Sequence, residues 1–316
     1  MHVFSLTLSA GLLAGVLAFA PPAGPPRPRR EFRPAAGNGQ MTAFSAAGHL
    51  LAVGGGAAPV GVFETRTGLL LRTYAGHAQP VTGVAFAPHP DTVLSTDAAG
   101  YARLWHAETL ANLTQWKAPA SLRAVAFAPS GGRALLASAG ACWLWDLRTP
   151  GRLPALLKLE LPAKSTLTTA VFGAEGRQVA LGFDTGVVLV YDLGTGQQTR
   201  KTLGNNSVRA LCLHADTLLA ATGSPALKTW PVRADAPVAE QPLPAALTAI
   251  AADPSGRVLA LGFATGETML WNRAANRAGP TFPGAAPTRQ VQFQPEGGSL
   301  LLVSYESGGP KTWLLE

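Results

Sequence analysis

From residue 41 onward the chain is a succession of short apolar runs separated by Gly, Pro, Asp and Ser. VTGVAF (Val81–Phe86) alternates in polarity as a half-buried strand does, and the APHPD that follows is turn chemistry. TVLST predicts the next strand, DAAG a second turn, YARLWHA a third strand and LTQWK an outer fourth. The same order recurs in QMTAFSAAGHLLAVGGGAAPVGVFETRTG, SLRAVAFAPSGGRALLASAGACWLWDLRT, TLTTAVFGAEGRQVALGFDTGVVLVYDLGTG, SVRALCLHADTLLAATGSPALKTWPV, ALTAIAADPSGRVLALGFATGETMLWNRA and TRQVQFQPEGGSLLLVSYESGGPKTWLLE.

An aromatic residue closes the third strand of every unit: Phe63, Trp105, Trp145, Tyr191, Trp230, Trp271 and Trp313, at separations of 42, 40, 46, 39, 41 and 42 residues. A period of roughly 40 to 45 residues is that of a propeller blade. The prediction is an all-β chain, a seven-bladed β-propeller of four-stranded antiparallel blades. Small residues dominate the inner strands because blades converge on the axis, and the aromatics fill the wider space between neighbours. Trp105, Trp145, Trp230, Trp271 and Trp313 are therefore expected in the core rather than around a cofactor.

The second unit carries Gly76-His77, with the histidine four residues before Val81, then Ser95 and Trp105. On these residues the chain resembles the WD-repeat β-propeller family, over about residues 32 to 316. The family's turn aspartate, six residues before the aromatic, is replaced by Ala57, Ala99, Ala139, Thr185, Ser224, Thr265 and Ser307. The terminal dipeptide is Trp145-Asp146 and Tyr191-Asp192, and elsewhere Phe63-Glu64, Trp105-His106, Trp230-Pro231, Trp271-Asn272 and Trp313-Leu314. The resemblance implies that His77, Ser95 and Trp105 are what remains of a buried hydrogen-bonded network, with a structural histidine.

It also implies a partner-binding top face with two outward positions per blade. Carried over by register, the first class is Gln40, Thr82, Arg123, Thr168, Arg209, Thr248 and Arg289, which sets arginines on blades three, five and seven. The second is Gly56, Ala98, Ser138, Asp184, Gly223, Ala264 and Glu306. Three guanidiniums around one opening suit a bidentate acidic ligand such as a carboxylate-bearing peptide. The bland alternative is that each arginine solvates its own rim.

Ring closure is the remaining structural demand. The last unit reaches Glu316 directly after its third strand, so another segment must cover that edge, because an unpaired edge invites aggregation. The family lends an N-terminal strand to the last blade, and REFRP (Arg30–Pro34) is the candidate here.

The first thirty residues are of another physical kind. Val3–Ala20 is an uncharged run of eighteen residues, and PPAGPPRPRR after it is an extended basic linker. Residues 1–20 fit a signal peptide or a membrane anchor, 21–31 a Pro/Arg-rich linker, and 32–316 the propeller. Small residues at Val16, Ala18 and Ala20 permit cleavage, whereas Arg27, Arg29, Arg30 and Arg33 favour an anchor with the propeller facing the cytoplasm. Export to a periplasmic or extracellular space, anchoring at a membrane and a cytoplasmic location all remain open. Gly11 and Gly15 have helix-dimer spacing, which chance explains in so Gly/Ala-rich a segment.

Hydrophobic residues make up 47% and charged ones 14%, as for a well-buried body. The net charge is +7; four arginines and one glutamate between residues 27 and 33 supply +3 of it, leaving +4. That balance suits acidic partners, while the lack of a Lys/Arg cluster with interleaved aromatics argues against nucleic acid. Cys142 and Cys212 fall on non-adjacent blades and are expected as free thiols.

Catalytic patterns are scarce. Gly54-Gly55-Gly56 lacks the Gly-Lys-Ser/Thr ending of a phosphate loop and is expected as a turn beside crowded backbone. His89/Asp91 and His214/Asp216 sit three blades apart and do not converge as metal ligands. No G-x-S-x-G elbow occurs. The expectation is a monomeric, non-enzymatic interaction scaffold with no cofactor or metal, binding a protein or peptide of acidic character, with membrane contact through its N-terminus. The alternative is a propeller enzyme or a sugar or small-molecule binder using the central channel.

Overall fold

The computed structural model describes residues 28–33, 40–56, 59–88, 91–149, 151–232, 238–295 and 300–315. The apolar segment 1–20, most of the linker, Pro34, Ala57, His89 and Glu316 lie outside the described residues. Among the described residues no helix is long and apolar enough to cross a membrane.

The strands form seven antiparallel sheets of four. β1 (Arg30–Glu31) comes first in the chain and is used last. Blade one is β2 (Met41–Phe44), β3 (Leu50–Gly54), β4 (Val60–Glu64) and β5 (Leu70–Tyr74). Blade two is β6 (Val81–Phe86), β7 (Thr92–Asp97), β8 (Tyr101–His106) and β9 (Asn112–Lys117). Blade three is β10 (Leu122–Phe127), β11 (Arg133–Ser138), β12 (Cys142–Asp146) and β13 (Ala155–Leu156). Blade four is β14 (Leu167–Phe172), β15 (Gln178–Phe183), β16 (Val187–Asp192) and β17 (Gln198–Thr202). Blade five is β18 (Ala210–His214), β19 (Thr217–Ala221), β20 (Ala226–Pro231) and β21 (Ala239–Pro242). Blade six is β22 (Leu247–Ala252), β23 (Val258–Phe263), β24 (Thr268–Asn272) and β25 (Arg277–Phe282). Blade seven is β26 (Thr288–Phe293), β27 (Leu300–Tyr305) and β28 (Lys311–Leu314), with β1 as its outer strand.

The second strands are covered on both faces by neighbouring blades and are buried over most of their length, with largely apolar sequences such as LLLVSY in β27. Each outer strand faces water, and β9 (NLTQWK) is mostly exposed. The core is consequently distributed between blades. Trp105 packs with Val60, Val62 and Tyr74 of blade one, Trp230 with Val188 and Val190 of blade four, and Trp313 with Leu270 and Phe282 of blade six. Six of the seven closing aromatics are buried, and Tyr191 is half-buried.

Closure follows the expectation for REFRP. β1 pairs antiparallel with β28, Arg30 opposite Thr312 and Glu31 opposite Lys311. The flanking amides of Arg29 and Phe32 donate to the carbonyls of Thr312 (2.7 Å) and Pro310 (2.9 Å). Phe32 is fully buried between Leu302 of blade seven and Leu51, Val53 and Phe63 of blade one, edge-on to Phe63 at 5.7 Å. On the channel side, Gln290 and Gln292 of β26 donate to the carbonyl of Thr42 at 3.2 and 2.7 Å, and Gln290 Oε1 accepts the Thr42 amide at 3.2 Å.

Candidate functional site

The seven inner strands surround a central cavity of about 550 Å³. Five of these strands share a local irregularity at their start. In β6, Val81 pairs with Asp97 and Gly83 with Thr96, so Thr82 is the extra residue of a β-bulge. Arg123, Thr168, Thr248 and Arg289 are the extra residues of the corresponding bulges in β10, β14, β22 and β26. A bulge removes one residue from the ladder and re-aims its side chain. Five of the first-class positions are thereby turned toward the cavity, which Arg209 also lines from just before β18.

The structure divides this ring into two kinds of position. The Thr168 hydroxyl lies 2.9 Å from the Gly182 carbonyl of its own blade and 2.6 Å from the Val208 carbonyl of blade five. Thr248 repeats this with Gly262 (3.0 Å) and Thr288 of blade seven (2.8 Å). Thr82 shares a hydrogen bond with Thr96 at 3.2 Å, and Gln40 donates from Nε2 to the Glu306 carbonyl at 2.8 Å, joining blade one to blade seven. Gln40, Thr168 and Thr248 thus stitch neighbouring blades, and Thr82 is engaged within its own. Gln40 and Asp184 do not line the cavity; Asp184 accepts the Thr166 amide at 2.8 Å in its own loop.

The arginines are left for something else. Arg123, Arg209 and Arg289 are exposed and make no side-chain hydrogen bond or ion pair with any described residue. Arg209 lies across Gly223, whose φ of +68° and missing Cβ give the guanidinium its seat. Glu306, also exposed, joins them at the cavity. Three guanidiniums and one carboxylate leave the mouth with two net positive charges. A further cavity of about 390 Å³ is lined by Phe44, Val84, Val125 and Phe293 together with the polar Gln290 and Gln292.

One expectation is corrected at the buried network. The aspartate at the turn position is absent, but Asp97, two residues after Ser95, takes its place. Asp97 Oδ2 lies 2.8 Å from His77 Nδ1, His77 Nε2 lies 2.7 Å from Ser95 Oγ, and Trp105 Nε1 donates to Ser95 Oγ at 3.0 Å. Asp97 Oδ1 also accepts the Tyr101 amide at 3.0 Å. Tyr74 stacks on Trp105 at 4.2 Å, and a Cβ on Gly76 would strike the Tyr74 hydroxyl, which accounts for glycine before the histidine.

Ser95, His77 and Asp97 thus have the order of a hydrolytic triad without its access. Ser95 is fully buried and its oxygen already accepts the Trp105 indole, so no substrate reaches it. Burial holds the His77 imidazole below its usual 6.5, against the opposing hydrogen bond and charge of Asp97. Neutral His77 donates from Nδ1 to the carboxylate and accepts from the serine. Elsewhere the network is reduced: Trp145 Nε1 donates to the Arg152 carbonyl at 2.8 Å, while the Trp230 and Trp313 indoles are buried without a partner. The residues ten before them are Ala220 and Val303, where blade two has Ser95.

The other candidates take structural places. Asp91 meets His49 of blade one at 3.6 Å, and His214 packs on Gly256 of blade six. Among the described residues no three His, Cys, Asp or Glu side chains gather as a metal site. Gly56 accepts the Val81 amide through its carbonyl at 3.2 Å, and Gly54 is crowded by Val81 and Val84. Cys142 and Cys212 are free, and burial pushes the Cys142 thiol up to about 12.

Residues 68–106 match the family model of the WD domain, G-beta repeat. That unit runs from β5 through β8, one outer strand and the three inner strands of the next blade, so a chain of such units closes by an exchanged strand. A 66-residue stretch is 38% identical to Protein tipD of Dictyostelium discoideum; it covers 21% of this chain and 11% of that protein. The chain therefore spans about a tenth of the length of that relative. The fold is similar to the crystal structure of the Cps50 (Swd1) β-propeller domain of Myceliophteria thermophila, at TM-score 0.76 and 17% identity over 91% of this chain and all of that one. The fold is that of a seven-bladed β-propeller, and one of its units, residues 68–106, matches the WD-domain model. One of its units follows the family pattern closely, and the other six keep the plan with little of the signature.

Proposed function

We propose that the protein is a non-enzymatic interaction scaffold that holds an acidic segment of a protein partner at the arginine-lined mouth of its channel. The observation that carries this reading is the contrast within one ring of equivalent positions. Gln40, Thr82, Thr168 and Thr248 have their polar atoms engaged by the propeller itself, whereas Arg123, Arg209 and Arg289 have none engaged. Guanidinium forks bind carboxylates bidentately, and three on alternate blades address a chain carrying several. WD-repeat propellers in general bind proteins or peptides, which supports the class of partner.

The test is selection of a random peptide library on the immobilised full chain. Enrichment of Asp/Glu-rich sequences that the Arg123→Gln/Arg209→Gln/Arg289→Gln protein no longer selects is the expected result. Selection of neutral or basic sequences, or equal selection by both proteins, would refute the reading. A small anionic metabolite in the same cavity is the second reading, favoured by the same charges; it predicts competition by a small dicarboxylate alone.

A further inference from the structure

Six of the seven large hydrophobic side chains that stand exposed among the described residues lie at one end of four consecutive blades: Leu314 of blade seven, Leu69, Leu70 and Leu71 of blade one, Leu113 of blade two and Leu153 of blade three. In blades one to three they sit where the third strand turns into the outer strand, and Leu314 ends the third strand of blade seven. The seventh, Leu156, pairs with Trp143 toward the other end of β12. Leu71 and Leu113 occupy the same place in adjacent blades, since each is the extra residue of the bulge that follows Leu70 or Asn112. In blade four the corresponding stretch is QTRKT, in blade five AEQP. An apolar arc on one side of a ring whose other blades are polar there is a directional surface.

The chain enters the fold inside this arc. Arg30, the first residue of β1, packs its side chain against Gly68, the neighbour of Leu69, and donates from Nε to the Arg66 carbonyl at 3.3 Å. Nine residues separate it from Ala20, the end of the uncharged run Val3–Ala20, a linker that reaches at most about 30 Å. The turns and outer-strand starts of these four blades carry Arg29, Arg30, Arg66, Arg72, Arg148 and Arg152 against Glu31, Glu64, Glu108 and Asp146, a positive excess.

From these placements we infer that the arc is a membrane-apposed surface whose occupant is an anionic lipid bilayer, with Leu71, Leu113 and Leu153 dipping among the headgroups. Apolar side chains flanked by arginines bind such interfaces through both terms together, and neither term alone holds a protein stably. The geometry has a functional corollary. Arg123, Arg209 and Arg289 stand at the opposite end of the strands, so the channel mouth faces away from the bilayer and stays open to a partner. The inference rests on residues 1–20 as a membrane segment and is independent of what the channel binds.

The experiment uses the full chain with an environment-sensitive fluorophore on Leu113→Cys, Leu153→Cys or, at the opposite end, Asn205→Cys. The unsubstituted chain, with buried Cys142 and half-buried Cys212, supplies the labelling blank. Probes are read in buffer, with phosphatidylcholine vesicles, and with vesicles also containing phosphatidylserine. The expected result is a blue shift and quenching by spin-labelled lipid at residues 113 and 153 with the anionic vesicles, and none at residue 205. The Leu71→Ser/Leu113→Ser/Leu153→Ser protein should keep its melting temperature and lose partitioning roughly tenfold. Water-like emission at residues 113 and 153 on vesicle-bound protein overturns the inference. So does quenching at residue 205, failure to bind vesicles, or a blue shift already present in buffer, which would mean that protein covers the arc. None of these outcomes touches the peptide selection, so the two readings fail separately.

Discussion

Nδ1 of His77 lies 2.8 Å from Oδ2 of Asp97, and both side chains are almost wholly removed from solvent. The pair joins the segment entering blade two to the second strand of that blade, and through Ser95 to Trp105 in the third. One polar network thus locks three pieces of the blade whose sequence best matches the family model. Removing one partner leaves the other buried and unpaired. Asp97→Ala should cost about 3 kcal/mol in denaturant unfolding, and Ser95→Ala about 1–2 kcal/mol, because the serine leaves neutral groups behind. A cost below that of an average surface substitution at Asp97 would show the network to be incidental.

The same imidazole makes stability depend on pH. Its pKa is lowered in the folded state, so between that value and 6.5 the unfolded chain binds the additional proton. Stability is therefore full above pH 6.5 and declines as pH falls through the window below it. Melting temperatures of the parent and His77→Gln proteins, measured from neutral to mildly acidic pH, should converge as pH falls. A constant difference across that range would contradict the assignment.

Closure of the ring depends on Phe32. The seam between blades seven and one has six buried residues in its cluster, against twelve between blades one and two, and Phe32 is one of the six. Phe32→Ala should destabilise by about 3–5 kcal/mol. Arg30→Ala, which loses only exposed hydrogen bonds to the Arg66 and Arg29 carbonyls, should cost well under that. The order of the two melting temperatures checks the claim.

Close approach of blades near the channel needs glycine at particular places. A Cβ on Gly182 would meet Val208 of blade five and Thr169 of its own blade, beside the Thr168 hydrogen bonds. Gly182→Ala should cost about 1–3 kcal/mol through overpacking. Gly140 has nothing within 4 Å of such a Cβ, so Gly140→Ala should be neutral. Thermal unfolding of the two variants separates packing from backbone entropy.

These elements differ in how visible they are in the sequence. The closing aromatics were legible because each repeats a packing problem that only a large side chain solves, and β1 was legible because a ring needs a strand for its last edge. Asp97 was missed because counting back from Trp105 points to Ala99, whereas the network is built forward from Ser95. The ring positions could be placed by register, but which of them are engaged depends on carbonyls and hydroxyls brought near from other strands, and their aim toward the cavity depends largely on bulges. A bulge such as that at Arg123 is defined by how Leu122 and Ala124 pair with β11, not by any local pattern. The leucine arc is likewise a property of neighbouring blades, since no single outer strand discloses it.

We propose that Arg123, Arg209 and Arg289 together hold an acidic partner segment at the channel mouth. Titration calorimetry of a selected acidic peptide against the parent chain and the Arg123→Gln/Arg209→Gln/Arg289→Gln protein is the test. The expected result is at least about a hundredfold loss of affinity, weaker binding of the parent at high salt, and an unchanged melting temperature. An affinity preserved in the folded triple variant would refute the proposal.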